Sequence, residues 1–242
     1  MYDLKIDPAG YDFHPDREIK GSSLLKMMQL AATMDTEKFG MGYDDLMKDG
    51  LAFVAYKTVL EINTAMTELA PIYVKTWNRP KRGVKYVRDY VVTSGDTLIA
   101  RSTSEWAMMN FQKRTLAKPA EIKRSMEEID KDAGLEVFAR ITPEPDKLCF
   151  ECEQKPRYSD LDVNGHVNNT VYLDICEDVS PFGFDEYKVT TAWIVYKREI
   201  RRDTLMHIKV YKNDSDFIVE VFDKETGELM FQSQIFVAQK SA

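Results

Sequence analysis

The segment Asp160-Leu161-Asp162-Val163-Asn164-Gly165-His166-Val167-Asn168-Asn169 gathers two carboxylates, three amides and an imidazole within ten residues. Side chains of these kinds move protons and form hydrogen bonds; they do not pack a core. If the segment runs extended, alternation turns Asp162, Asn164 and His166 to one side and Val163 and Val167 to the other. Three hydrogen-bonding groups then converge on one point. An imidazole that must hold one tautomer needs an orienting partner, and Asp162 and Asn164 stand at i−4 and i−2 from His166. The other histidines, His14 and His207, are far away in sequence and asparagine is a poor zinc ligand, so neither a metal nor a cofactor is expected.

Glu199, in Tyr196-Lys197-Arg198-Glu199-Ile200-Arg201-Arg202-Asp203, reads on composition alone as an exposed carboxylate on a strand. Cys149-Phe150-Glu151-Cys152 has the C-x-x-C spacing of redox and zinc sites. In strand-like sequence those two positions point to opposite faces, and no second pair completes a zinc shell.

The elements that must hold these groups come in two similar sets. A helix is expected over about 23–38, with Leu24, Met27, Met28, Ala31 and Met34 at helical spacing and Ser22 or Ser23 as N-cap. A second is expected after Asn168 or Asn169, with Val171, Tyr172, Ile175, Cys176 and Val179 on one face, until Ser180-Pro181 stops it. Strand-like runs rich in Val, Ile, Tyr, Phe and Thr follow each helix, at about 51–63, 70–78, 84–94 and 97–111, then 187–202, 205–213, 216–223 and 229–238. Ala52-Phe53-Val54-Ala55-Tyr56-Lys57 matches Ala192-Trp193-Ile194-Val195-Tyr196-Lys197, which suggests two copies of one unit. Extended back along the chain, that alignment sets Ser22, Leu24 and Lys26 opposite Asp162, Asn164 and His166, so only the second half is expected to carry a polar site. Residues 117–147, rich in Lys, Glu, Asp, Ala and Pro, read as a linker with a short helix near 120–132. The expected organisation is a domain over 1–118, a linker over 119–147 and a second domain over 148–242.

With 44% hydrophobic and 30% charged residues the 242-residue chain can bury a core, and it has no apolar run long enough to span a membrane. The N-terminus has neither a basic start nor an apolar stretch, so no signal peptide is expected; three cysteines suit a reducing compartment, and the expected location is the cytoplasm. A formal charge of −7 argues against nucleic acid as a partner. Basic side chains still cluster at Lys75, Arg79, Lys81, Arg82, Lys85 and Arg88, and at Lys197, Arg198, Arg201 and Arg202. Such islands either dock an anionic partner or are solvated strand faces.

Asp162-Val163-Asn164-Gly165-His166-Val167-Asn168-Asn169, followed by Tyr172, resembles the D-x-N-x-H-V-N-N signature of acyl-acyl carrier protein (acyl-ACP) thioesterases. Tyr196 to Thr204 resembles that family's Y-x-R-E-C-x-x-D-S segment, and Arg101 to Asn110 its R-x-x-S-x-W-x-x-M-N strand. The resemblance implies an α+β tandem hotdog fold, each half a long helix wrapped by an antiparallel sheet, and hydrolysis of a fatty acyl-ACP thioester. It implies Asp162, Asn164, His166 and Glu199 as the catalytic set. Ile200 stands where the family often has cysteine, so no thiol nucleophile is available there. Water activated by Glu199, or by His166 with it, is then the expected attacking group, with Asn164 placing water or carbonyl and Asp162 orienting the network. Backbone N–H groups of Val167, Asn168 and Asn169 at the helix start are expected to hold the oxyanion.

Met27, Met28, Phe53, Trp106 and Met108 are candidates for the acyl pocket. Arg79, Lys81, Arg82, Lys85, Arg198, Arg201 and Arg202 are candidates for docking the acidic carrier. Two hotdog units in one chain suit a monomer or a homodimer. The competing readings are an acyl-CoA thioesterase using the same site, a non-catalytic acyl-binding module and, as the poorest fit, a hotdog dehydratase.

Overall fold

The computed structural model describes residues 1–81, 83–118, 121–135, 137–138 and 140–240. The chain divides into two compact units, Met1–Thr58 with Asn63–Val137, and Val59–Ile62 with Phe138–Ala242.

The first half runs β1 (Tyr2–Ile6), α1 (Gly21–Glu37), α2 (Tyr43–Lys48), β2 (Leu51–Ile62), β3 (Ile72–Asn78), β4 (Lys85–Ser94), β5 (Thr97–Asn110) and the short β6 (Thr115–Leu116). Its strands lie in the order β1-β3-β4-β5-β2, with antiparallel ladders such as Asp3 opposite Lys75, Trp77 opposite Asp89 and Arg88 opposite Ser104. The second half runs β7 (Leu148–Gln154), α3 (Val171–Asp178), β8 (Tyr187–Tyr196), β9 (Met206–Lys212), β10 (Asp216–Asp223) and β11 (Leu229–Gln239), in the order β7-β9-β10-β11-β8. The two halves therefore share one strand order. Each has the antiparallel-sheet-and-helix make-up expected of it, although α3 is only eight residues long.

In the first half α1 packs on β1 and β3 and buries Leu24, Leu25, Met27, Met28 and Ala31. In the second, Tyr172 of α3 stacks on Phe231 of β11 and meets Tyr196 of β8 edge to face. Burial of an apolar side chain of this size stabilises by about 1.5–3 kcal/mol.

Hydrogen bonds show the duplication more clearly than the sequence does. In the first half the N–H of Asp12 donates to Ala9 O, Phe13 to Gly10 O, Arg17 to His14 O, His14 to Glu18 O and Lys20 to Asp12 O. In the second, Asp160 donates to Arg157 O, Leu161 to Tyr158 O, Gly165 to Asp162 O, Asp162 to His166 O and Asn168 to Asp160 O. Donors and acceptors correspond one to one at a constant spacing, from Ala9 with Arg157 to Lys20 with Asn168. The residue in the left-handed region recurs too, as Arg17 (φ 70°) and Gly165 (φ 74°). After the helix, Asn63 and Thr64 both donate to Ile99 O, as Lys197 and Arg198 both donate to Met230 O. This second correspondence, Asn63 with Lys197, has a shorter spacing along the chain than the first.

The alignment expected from Ala52–Lys57 and Ala192–Lys197 thus holds on neither side of the helix. A helical region of different length in each half, α1 and α2 against α3, changes the spacing partway through the repeat. The residues opposite Asp162, Asn164, His166 and Glu199 are His14, Asp16, Glu18 and Ala65. Ser22, Leu24 and Lys26 lie inside α1. The first half is not devoid of polar groups at this turn; it lacks an imidazole opposite His166 and a carboxylate opposite Glu199.

Further expectations are corrected. No α-helix forms over 121–132. The segment runs irregularly along the first unit, where Asn78 bridges Glu128 in parallel, Trp77 Nε1 donates to Lys131 O (2.7 Å) and Met126 and Ala133 are buried. Tertiary hydrogen bonds override the helical propensity of its Lys, Glu and Ala. Helix α1 begins at Gly21 with Lys20 at the N-cap, so neither Ser22 nor Ser23 caps it. Met34 is exposed, and the buried position beside it belongs to Asp35, paired with Arg88 at 2.8 Å. On α3, Leu173 is buried where only Tyr172, Ile175 and Cys176 among the expected face are.

Candidate active site

The site starts from a turn. One oxygen of the Asp162 carboxylate, Oδ1, accepts the backbone N–H of Asn164 (2.8 Å) and of His166 (3.3 Å). The Asn164 side-chain amide donates to the other, Oδ2, at 3.4 Å. With the Asp162 N–H on His166 O and the Gly165 N–H on Asp162 O, residues 162–166 close on themselves. Asx turns of this type are what an Asp with Asn-Gly two residues on favours, as in Asp162-Val163-Asn164-Gly165. The run is therefore not extended, and alternation does not set its side chains. Val163 stands at the tip, 93% exposed, while Val167 is buried where Leu161 and Val167 pair across the turn.

Glu199 reaches this turn from a loop. Strand β8 ends at Tyr196, and the expected strand over 197–202 does not form. Lys197 and Arg198 both donate to Met230 O, which bends the chain away from the ladder. The next residues lie against the turn, with the Val167 N–H on Ile200 O (2.8 Å) and His166 bridged to Arg201. This register brings Glu199 Oε2 to 3.2 Å from His166 Nε2, with side chains 46% and 21% exposed. Arg201 Nη2 lies 3.7 Å from the same oxygen. A half-exposed carboxylate in contact with an imidazole can accept a proton from a water while the ring shares the charge.

Of the expected set, His166 and Glu199 meet. Asp162 is occupied in holding the turn, and Asn164 sits beside it near the tip. Ile200 is fully buried, so a side chain at this position faces the core.

The helix start narrows the anion-binding donors. The Val167 N–H is held by Ile200 O and the Asn168 N–H by Asp160 O. The Asn169 N–H has no acceptor among the described residues. Asn168 Oδ1 accepts both the N–H (2.9 Å) and the hydroxyl (2.8 Å) of Thr170. Thr170 stands at the N-cap of α3 and makes no side-chain capping bond, so neither Asn168 nor Asn169 is the cap; Asn168 forms the turn that leads into the helix. Sequence reasoning missed Tyr196 as a member of this region. Its phenol donates to Asn169 O at 3.0 Å. Burial pushes the phenol of neighbouring Tyr172 up, and Glu199 and Asp162 add to that.

The pocket candidates separate. Phe53 and Trp106 pack against a buried cluster that includes Met108, Met41, Leu51, Tyr86 and Met126. Met27 and Met28 are buried on α1.

The docking candidates are mostly engaged within the protein. Arg79 forms a two-pronged pair with fully buried Asp89 (2.6 and 2.9 Å), and Arg88 is buried against Asp35. Lys85 pairs with Glu105 and Arg198 with Glu228. Arg79 is thereby withdrawn from any docking surface. Lys81, with its ammonium 4.7 Å from the Tyr86 ring centroid, Arg201, and Arg202, stacked over Tyr158, remain at the surface. Arg82 lies outside the described residues.

Comparison with known proteins follows the same division. The profile described as "Acyl-ACP thioesterase N-terminal domain" matches residues 1–125, and "Acyl-ACP thioesterase C-terminal domain" matches 144–238. The chain is 28% identical over 213 residues to an acyl-[acyl-carrier-protein] hydrolase of Cuphea viscosissima, covering 81% of this chain and 51% of that protein. It is 29% identical over 214 residues to a palmitoyl-acyl carrier protein thioesterase of Arabidopsis thaliana, with the same coverage. The chain thus spans about half the length of these curated relatives. Its fold is similar to that of an acyl-ACP thioesterase from Bacteroides thetaiotaomicron (TM-score 0.86, 19% identity, covering 98% of this chain and 97% of that one). It is also similar to a 12:0-ACP thioesterase from Umbellularia californica (TM-score 0.82, 20% identity, 99% and 97%). The fold is the tandem hotdog.

Proposed function

We propose a function from one premise: this chain belongs to the acyl-ACP thioesterase family. It hydrolyses the thioester between a fatty acyl chain and acyl carrier protein, releasing the fatty acid and the carrier thiol. The observation that carries this reading is the 3.2 Å contact between Glu199 and His166 on two segments that a backbone hydrogen bond holds together.

Glu199 takes the proton of the attacking water, with His166 in hydrogen-bond contact to hold and share it; general-base help of this kind is worth about 10²–10⁴-fold. Asn164 places the water or the carbonyl, and Asp162 keeps the turn closed. The Asn169 N–H receives the developing oxyanion, a contribution of about 10²–10³-fold for one donor. The thiolate leaves with little acid assistance. The carrier, an acidic protein, meets the surface of the second unit at Arg201 and Arg202 through charge attraction.

The test is thiol and fatty acid release by the purified chain from matched acyl-ACP and acyl-CoA substrates. Higher kcat/KM on acyl-ACP supports the proposal. Preference for acyl-CoA reassigns the carrier, and absence of release from both reduces the chain to an acyl-binding module.

A further inference from the structure

We propose that the Asn168 side chain is a positioning residue for hydrolysis: by closing the turn over residues 168–171 it fixes the peptide whose N–H, that of Asn169, receives the oxyanion. The inference rests on the thioesterase reading above and adds a residue to it.

The peptide that joins Asn168 to Asn169 carries Asn168 O at one end and the Asn169 N–H at the other. Because it is planar and trans, the two groups point in opposite directions, and whatever holds the carbonyl aims the donor. Asn168 O accepts the Val171 N–H at 2.9 Å, which draws it toward the start of α3 and directs the Asn169 N–H away from the helix. The side chain acts on the same peptide. Asn168 Oδ1 accepts the Thr170 N–H at 2.9 Å and so closes a ring that runs from its own Cβ through the 168–169 peptide to residue 170. That ring limits rotation on both sides of the peptide plane. The Thr170 hydroxyl, 2.8 Å from the same oxygen, keeps the side-chain amide from turning over, and the Asn168 N–H on Asp160 O (2.9 Å) ties the ring to the turn before it.

The copy that lacks the imidazole and carboxylate pair is built differently. Lys20 stands there opposite Asn168; its side chain makes no bond to the helix start, and its ammonium donates to Tyr11 O at 3.1 Å. Helix α1 begins at the very next residue, Gly21, and Leu24 N–H donates to Lys20 O in the regular i to i+4 pattern. In the second half the bond to Asn168 O is the tighter i to i+3, and Asn169 and Thr170 stay outside α3. The side chain of Asn168 thus supplies a constraint that helix geometry does not reach. A donor contributes to catalysis only if its direction is fixed before the charge develops, and Asn168 supplies that fixation without touching the substrate.

The experiment compares Asn168→Ala, Asn168→Ser, Asn169→Pro and the double variant Asn168→Ala with Asn169→Pro on acyl-ACP, with kcat, KM and Tm for each. Asn168→Ala is expected to lower kcat about 10-fold, less than the roughly 10²–10³-fold attached to losing a whole donor, with KM within about twofold. Asn168→Ser should recover part of that loss, because a hydroxyl closes the same turn more weakly. Proline suits the second position of such a turn. Asn169→Pro therefore deletes the N–H with the turn kept and is expected to lower kcat about 10²-fold; adding Asn168→Ala to it should cost kcat nothing more, because no donor is left to aim. Should alanine unfold the chain, Asn168→Ser alone and combined with Asn169→Pro carries the same comparison. A lowered Tm with unchanged kcat makes Asn168 a purely structural residue and overturns the inference, as does an undiminished loss in the double variant. An unmodified chain that releases no thiol refutes the thioesterase reading instead, a result distinct from an active chain indifferent to Asn168.

Discussion

His166 Nε2 and Glu199 Oε2 are 3.2 Å apart because Val167 and Ile200, the residues that follow them, are joined by a backbone hydrogen bond of 2.8 Å. The pair is therefore set by main-chain register and not by the chance meeting of two flexible side chains. Alanine at either position should lower kcat by about 10²–10⁴-fold. The double variant should lose far less than the product of the two, since the groups act as one unit. Thiol-release kinetics on the three variants, with Tm as a control for folding, give the answer, and fully multiplicative losses would show that the two work separately.

Ile200 offers a test of the nucleophile. Its side chain is fully buried although its neighbours Glu199 and Arg201 are exposed. Ile200→Cys should place the thiol in the core, cost about 1–3 kcal/mol as a large-to-small change, and leave turnover insensitive to iodoacetamide. New sensitivity to the reagent, proportional to lost activity, would show that this position can face the substrate after all.

The buried Asp35–Arg88 pair should matter more for stability than for chemistry. Arg88→Met leaves a carboxylate without its partner in the interior and is expected to destabilise by about 3–5 kcal/mol. Combining it with Asp35→Leu should recover most of that loss, because paired apolar replacements remove both desolvation penalties. Denaturant midpoints of the single and double variants measure it.

Tyr211 donates to Glu220 Oε2 at 3.1 Å. Burial first, and then the charge of Glu220, push its phenol up from the ordinary 10.0 to about 12. A raised folded-state value means that stability is complete below pH 10 and falls as pH rises from 10 toward 12, where the unfolded chain releases this proton and the folded one keeps it. Tyr211→Phe should therefore show a shallower alkaline loss than the parent, at a cost of about 1–3 kcal/mol near neutrality from the carboxylate left short of a donor. Denaturant midpoints taken from neutrality to strongly alkaline pH on both proteins test the slope; identical slopes would contradict it.

The local chemistry was legible in sequence and its long-range partners were not. Asp162, Asn164, Gly165 and His166 announce a polar turn by residue type, and Asn168 announces the turn that leads into a helix, though the N-cap falls on Thr170. What sequence could not show is that Asp162 turns its carboxylate onto backbone, since the same letters suit a strand pairing its side chains outward. The Arg79 and Arg88 cluster read as a basic surface because Asp35, which neutralises Arg88, is 53 residues away in the chain. The match of Ala52–Lys57 with Ala192–Lys197 misled because a strand needs only alternate apolar positions, and several registers satisfy that requirement equally. The paired hydrogen bonds before and after the helix carry the duplication in backbone geometry, where few letters are preserved.

Asp89 draws together more of the first unit than its single charge suggests. It accepts Arg79, the Thr103 hydroxyl (2.6 Å) and the N–H of Ala133 (3.0 Å), while Arg101 Nη1 donates to Ala133 O (3.0 Å). Residues 121–135 are thus a strap buckled to the sheet, and not slack between two modules. Anyone severing the halves to study them apart should keep the buckle with the first; a scissor placed at residue 118 would leave a sealed-in anion to Arg79 and Thr103 without its main-chain donor, whereas one placed beyond Val137 would leave its retinue whole.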